Sequence, residues 1–253
     1  MPARLFVVHG SHPCAAVERA LQIKGVPYTA FEWPPPLHAV GMRLLFGPRT
    51  VPAIRFEDGE KVSGSRAILA RLDELAPQPP LYPAAPDASA RVLEAERWGD
   101  EVLQPLTRRV LWPAFARNHR AMHSFQEGSR LPALPMPVVL ASAPGIIAAE
   151  RRLNDATDAA LRRDLDDLPA HLDRVDAWIA EGTLGGETLN AADLQILTSL
   201  NLLLTIDDVR PLIEGRAAGR LTRRHFAPLP GSIPAGTLPA QWLPAPASAP
   251  PPA

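Results

Sequence analysis

Up to residue 76 the apolar positions switch between two periods. Leu5-Phe6-Val7-Val8 is a short apolar run suited to a buried strand. Over residues 13–24, Val17, Ala20, Leu21 and Lys24 recur at helical spacing, with Pro13 in the first turn and Gly25 closing the segment. Residues 28–33 return to a period of two, Tyr28, Ala30 and Glu32 alternating with Thr29, Phe31 and Trp33, and so predict a second strand. Strand-helix-strand with a helix of this length implies a parallel crossover. Pro34-Pro35-Pro36 opens a short helical or irregular stretch through Phe46. Ala53-Ile54-Arg55-Phe56 and Lys61-Val62-Ser63 flank a turn at Glu57-Asp58-Gly59-Glu60 and predict a hairpin. Residues 65–75 follow as a helix with Ala67, Ile68 and Leu72 on one face.

The order βαβ-α-ββα joins a parallel pair to an antiparallel hairpin, which is the thioredoxin arrangement. Pro77-Gln78-Pro79-Pro80-Leu81-Tyr82-Pro83 cannot sustain a helix and reads as a linker of limited flexibility. No convincing strand follows. Residues 88–126 form a long helical pattern with a kink or break expected at Pro105 and Pro113, and a second proline cluster over 131–137 interrupts the chain. Residues 144–180 supply helical material, 190–204 a nearly all-apolar and therefore central helix, and 209–226 a last basic helix. The predicted organisation is a thioredoxin-like α/β domain over 1–76, a linker over 77–87, an all-α domain over 88–226, and a Pro/Ala-rich tail over 227–253. Ile233, Leu238, Trp242 and Leu243 are expected to pin part of that tail, and residues after Pro244 to be disordered.

Composition narrows the function classes. With 26 Lys+Arg against 27 Asp+Glu, the net charge of -1 supplies no field for polyphosphate, so no nucleic-acid partner is expected. One cysteine among 253 residues excludes an intrachain disulfide and a thiolate-rich zinc site, and suggests a reducing compartment. No apolar run approaches the ~20 residues of a membrane span, and the N-terminus lacks the apolar region of a secretory signal. A cytoplasmic protein without a membrane partner is the expectation. Only Lys24 and Lys61 are lysine, which with the abundant Ala and Pro points to a GC-rich bacterial genome.

Local motifs then identify a family. Ser11-His12-Pro13-Cys14 through Gly25-Val26-Pro27-Tyr28 is similar to the first helix and following strand of the cytosolic glutathione transferases. Thr50-Val51-Pro52-Ala53-Ile54 resembles the segment whose proline is cis in that family. Ser63-Gly64-Ser65-Arg66-Ala67-Ile68 resembles the serine-containing turn into its third helix, and Asn190-Ala191-Ala192-Asp193 the cap of its central helix. The four motifs occur in the family's order. The resemblance implies a homodimer that uses glutathione, or another low-molecular-weight thiol, against an electrophilic small molecule in detoxification, with no metal.

Thiol chemistry fits these positions. The thiolate is the nucleophile, and a hydroxyl donor at a helix N-terminus stabilises it. By resemblance Ser11 donates to the glutathione sulfur, although serine there is equally suited to cap the helix. Cys14, one turn inside, is either a small buried hydrophobe or the carrier of a mixed disulfide. The resemblance gives Val51 and Pro52 the backbone groups that engage the cysteinyl part of glutathione, and Ser65 the γ-glutamyl carboxylate. Gly64 departs from the pattern, because the family places an acid or amide there to hold the γ-glutamyl amine. Losing a charge-assisted contact weakens binding by ~1.5–3 kcal/mol. His38, Arg49 and Arg66 are further carboxylate contacts or solvated charges, and mycothiol is an alternative thiol. An acceptor pocket between the domains is expected to draw on Trp112, Phe115 and His119. His119 and His123 share the i, i+4 spacing of a metal pair but lack a third ligand. The competing functions are a thiol-disulfide or peroxide reductase using Cys14 and a non-catalytic binding module on the same fold.

Overall fold

The computed structural model describes residues 2–35 and 37–244. The expected disorder after Pro244 lies outside them. The chain divides into two compact units.

The first unit takes the residues up to Gln104, together with Gly128–Ala133 and Gly182–Ser199. Its sheet is formed by β1 (Ala3–Val7), β2 (Tyr28–Glu32), β3 (Ala53–Arg55) and β4 (Lys61–Ser63), in the order β2-β1-β3-β4. β1 pairs parallel with β2, Leu5 opposite Ala30, and antiparallel with β3, Leu5 opposite Ile54. The period of two therefore places Ala3, Leu5, Val7 and Ile54 in the core at no more than 2% exposure. Helices α1 (His12–Ile23) and α3 (Ser65–Leu75) pack against each other. α1 buries Cys14, Ala16, Val17, Ala20 and Leu21, and α3 buries Ile68, Leu69 and Leu72. Lys24 just beyond α1 is also buried, its ammonium 2.5 Å from Asp73 Oδ1 and donating to the Ala76 and Pro79 carbonyls. This satisfied cation fastens α1 to the end of α3 and the start of the linker. α2 (Leu37–Phe46) settles the segment that the sequence left helical or irregular.

The expected break at Pro105 takes a different form. α4 (Pro86–Trp98) runs into a π-helical turn over Gly99–Leu103, and α5 (Gln104–Arg117) continues from it, with Pro113 inside the helix. Proline lacks the N–H that would bond to the carbonyl four residues back, and the wider π turn directly before Pro105 accommodates that gap.

The second unit holds Pro105–Glu127, Leu134–Glu181 and the chain from Leu200. It contains a 3-10 segment over His119–Gln126, then α6 (Met136–Leu153) and α7 (Asp158–Ala180). α8 (Ala191–Leu203), whose residues up to Ser199 belong to the first unit, is the expected central helix, with Leu194, Ile196, Leu197 and Leu200 at 0% exposure. The single basic helix expected over 209–226 is instead two, α9 (Arg210–Ile213) and α10 (Ala217–His225), with Gly215 between them. Gly219 of α10 lies so close to α9 that a Cβ would stand 2.2 Å from the Ile213 carbonyl oxygen. In the tail, Ile233 and Leu238 are buried, and Ile233 forms a bridge with Ile206. Trp242 is half-buried under the Arg117 guanidinium.

Candidate functional site

The N-termini of α1 and α3 and the loop before β3 all belong to the first unit. Ser11 occupies the N-cap position of α1 in an extended conformation, yet its side chain makes no capping hydrogen bond. The hydroxyl lies instead against the Cys14 thiol. Cys14 is 2% exposed, and burial pushes its pKa up to about 12, against hydrogen bonds from Ser11 and the Val8 backbone that draw it down. A thiol in this setting stays protonated at neutral pH, so it cannot act as a nucleophile there. Ser11 is half-buried and makes no capping hydrogen bond.

The Val51–Pro52 bond is cis, as the resemblance implied, and so is Gln78–Pro79. The Pro52 carbonyl accepts the Gly64 amide at 2.9 Å. Among the described residues no backbone hydrogen bond engages the Val51 N–H or C=O. Gly64 is the N-cap of α3 with φ +90, and a Cβ there would meet nothing within 4 Å. The backbone conformation, rather than space, favours glycine at this point. It also means that no side chain caps α3, so the first-turn amides keep their donors.

Ser65 opens α3 at 4% exposure, beside two residues the sequence did not single out. Gln195 of α8 lies 3.0 Å from Ser65 Oγ through Nε2, and Gln104 Nε2 donates to Gln195 Oε1 at 2.5 Å. Glutamines carry no spacing signal, and their meeting depends on long-range topology. Arg66 holds no direct hydrogen bond to an acid: its Nε is 3.7 Å from Glu96 and its Nη1 3.7 Å from Glu101. It lines an open cleft of about 610 Å³ with Ala67, Ala70, Tyr82, Leu93 and Glu96. Tyr82 donates to Glu96 at 2.8 Å, and burial pushes the Glu96 carboxyl up to about 7. His38, near the start of α2, is half-buried, which lowers its pKa; its Nδ1 meets no hydrogen-bond partner among the described residues. Arg49 is exposed.

A second feature absent from the sequence reading is the strap Gly128–Ala133. The Glu32 carboxylate, at the end of β2, accepts the Ser129 hydroxyl and, at 2.7 Å, the Arg130 amide. Arg130 also reaches Glu18 at 2.7 Å, and a Cβ on Gly128 would stand 3.6 Å from His9 Cε1, two residues ahead of Ser11.

The residues expected at an acceptor pocket lie in the second unit. Trp112 and Phe115 have ring centroids 5.7 Å apart, and Phe115 meets Phe125 edge-on at 4.9 Å. Phe115 is buried, whereas Trp112 and His119 are half-exposed. The segment His119–Gln126 is 3-10 rather than α-helical, so His119 and His123 do not share a face. At about three residues per turn, i and i+4 point roughly 120° apart.

Residues 5–80 match the family model described as glutathione S-transferase, N-terminal domain. Among curated proteins no sequence match is found. Solved structures extend the likeness to the whole fold. The chain is similar to beta-etherase LigF from Sphingobium sp. strain SYK-6 at 16% identity and a TM-score of 0.59, over 89% of this chain and 100% of that one. Poplar glutathione transferase F1 matches at 16% identity and 0.58, over 88% and 90%. The glutathione-bound theta class glutathione S-transferase from Xanthomonas axonopodis pv. citri matches at 19% identity and 0.55, over 79% and 82%. The chain thus has the glutathione S-transferase fold: a thioredoxin-like domain with a mixed four-stranded sheet, followed by a helical region. No helix among the described residues is long and apolar enough to cross a membrane.

Proposed function

We propose that this protein is a cytoplasmic, homodimeric thiol transferase that binds glutathione on its N-terminal domain and presents the thiolate to an electrophilic small molecule. The observation that carries the reading is Ser11: a hydroxyl at the N-terminus of α1 without a capping bond, in a domain that matches the glutathione S-transferase N-terminal model and also offers the open Val51 backbone and Ser65. In this scheme Val51 pairs strand-like with the cysteinyl residue, and the first turn of α3 takes the γ-glutamyl carboxylate. Ser11, helped by the positive end of α1, donates to the sulfur and lowers its pKa. Cys14 supports Ser11 from beneath and carries no chemistry. Trp112 and His119 are the candidates for contact with the electrophile, and Phe115 for holding Trp112 in place.

A thermal-shift titration with glutathione tests this. At 100 times the dissociation constant, a ligand that binds only the folded state stabilises it by ~2.7 kcal/mol. Ser65→Ala is expected to abolish most of that shift. Ser11→Ala is expected to retain it while losing the ultraviolet absorbance of the bound thiolate and turnover of a reactive aryl halide. If saturating glutathione leaves the melting temperature of the wild-type protein unchanged, the reading fails. Binding without thiolate formation in the wild type would instead identify a non-catalytic binding module, the role toward which the missing side chain at Gly64 leans.

A further inference from the structure

Three uncharged polar side chains are buried together at the first turn of α3: Ser65 at 4% exposure, Gln104 at 3% and Gln195 at 0%. They come from three separate parts of the chain and all lie in the first unit. Gln104 follows directly on the π turn. Gly99 in that turn lets α8 approach so closely that a Cβ would stand 3.1 Å from Gln195 Cβ. The position of Gln195 is therefore set by backbone packing as well as by its amide.

Two amide donors, Gln195 Nε2 and Gln104 Nε2, point at Ser65 Oγ, and one hydrogen bond runs back from it to Gln195. Gln104 Nε2 donates to Gln195 Oε1 at 2.5 Å, and Gln195 Nε2 donates to Ser65 Oγ at 3.0 Å. Ser65 thus receives a hydrogen bond and keeps its own proton. Within the trio the acceptor for that proton is Gln195 Oε1, 3.1 Å away and already engaged by Gln104. A hydroxyl that accepts at its oxygen becomes a better donor, because hydrogen bonds in a chain polarise one another. The Arg66 guanidinium, next along α3, does not perform this task, since it faces Glu96 and Glu101.

We propose that Gln195, oriented by Gln104, is a positioning residue that presets the Ser65 hydroxyl as a donor, so that the first turn of α3 selects a thiol bearing a carboxylate. The inference rests on the reading of Ser65 as the carboxylate anchor. In the free protein the Ser65 proton falls back on Gln195 Oε1. When the ligand binds, that proton turns to the carboxylate while Gln195 continues to donate to Ser65 Oγ, and no bond is broken elsewhere in the chain. A neutral, sugar-linked thiol would leave the proton without its partner.

The test compares glutathione with its analogue in which 4-aminobutyryl replaces the γ-glutamyl residue, so that only the α-carboxylate is missing. Dissociation constants are measured by calorimetry on the full chain. The wild type is expected to prefer glutathione by about tenfold or more, the scale of a hydrogen bond to a charged group. Gln195→Glu keeps the shape but makes the side chain an acceptor only, which draws the Ser65 proton inward. It is expected to reduce the preference to about twofold or less while leaving the affinity for the analogue unchanged. Gln195→Leu is expected to do the same, and Gln104→Met supplies the check should that variant fail to fold. A preference that survives Gln195→Glu means that the chain runs in the opposite sense and overturns the proposal. Equal weakening of both ligands reduces Gln195 to a structural role and also overturns it. A wild type that binds both ligands equally well removes Ser65 as the anchor. One that binds neither removes the glutathione reading itself, and the inference with it.

Discussion

Cys14 shows how burial decides whether a reactive residue type reacts. It sits one turn inside α1 at 2% exposure, beneath the Ser11 hydroxyl, with its pKa pushed up to about 12. At pH 8 such a thiol holds roughly a thousandth of the thiolate of an unperturbed cysteine. Iodoacetamide or a chromogenic disulfide is therefore expected to leave Cys14 untouched in the native protein and to modify it fully in guanidinium chloride. Cys14→Ala is expected to change glutathione affinity by less than about twofold, because the residue acts through packing. Stoichiometric labelling of the folded protein at pH 8 would return Cys14 to the list of active groups. Gly64 carries the complementary lesson. Its departure from the family pattern was visible in the sequence, but the backbone at φ +90 was not. Backbone dihedrals are set by the closure of β4 onto α3 and leave no trace in composition.

At the level of elements, the pattern predicted strands and helices well where a single face is buried, and also the one helix buried on every side. β1, β2, the hairpin, α1, α3 and the central helix α8 all stand close to their expected positions. The reciprocal cap of α8 was equally legible: Asp193 accepts the Asn190 amide at 3.0 Å, and Asn190 Oδ1 accepts the Asp193 amide at 3.0 Å. A cap is local, so its spacing survives in the sequence. The π turn, the 3-10 segment and the Gln104–Gln195–Ser65 trio were not legible, because each is fixed by contacts between distant parts of the chain. The tie between α5 and α7 is of that kind. Arg109 grips Asp164 with Nε at 2.5 Å and Nη2 at 3.1 Å, and Asp164 is 3% exposed. Removing one partner of a buried, bidentate pair leaves the other uncompensated and costs about 3–5 kcal/mol. Asp164→Ala is expected to lower stability by that amount in urea unfolding, with an unchanged denaturant slope. A loss below about 1 kcal/mol would show that the pair is solvent-screened in solution.

Across the whole molecule, a net charge of -1 leaves little collective repulsion near neutral pH, so individual buried groups set the dependence of stability on pH. Burial raises the carboxyl pKa of Glu96 to about 7 and that of Asp193 to about 6, and shifts Glu150 in the same direction. The folded chain therefore binds protons that the unfolded chain has released. Each acid's contribution is complete below its unfolded pKa and is lost as pH rises through the folded value. His38 and His171 act in the opposite sense, because burial lowers their pKa values. Their effect makes stability rise with pH and is exhausted near the ordinary histidine value of 6.5. Below that point the two groups offset each other. Above it the continued fall belongs to Glu96, and above pH 9 Cys14 and Tyr82, whose pKa values are also raised, extend it. The fold is thus expected to be most stable on the acid side of neutrality and to lose stability steadily toward pH 10. Moving one carboxyl from 4.5 to about 7 corresponds to on the order of 3 kcal/mol. Glu96→Gln keeps an acceptor for Tyr82 and removes the titration. It is expected to match the wild type at pH 4.5, to exceed it in melting temperature at pH 8, and to flatten the curve between. Parallel curves for the two proteins would show that Glu96 ionises normally in the fold and that the alkaline loss has another origin.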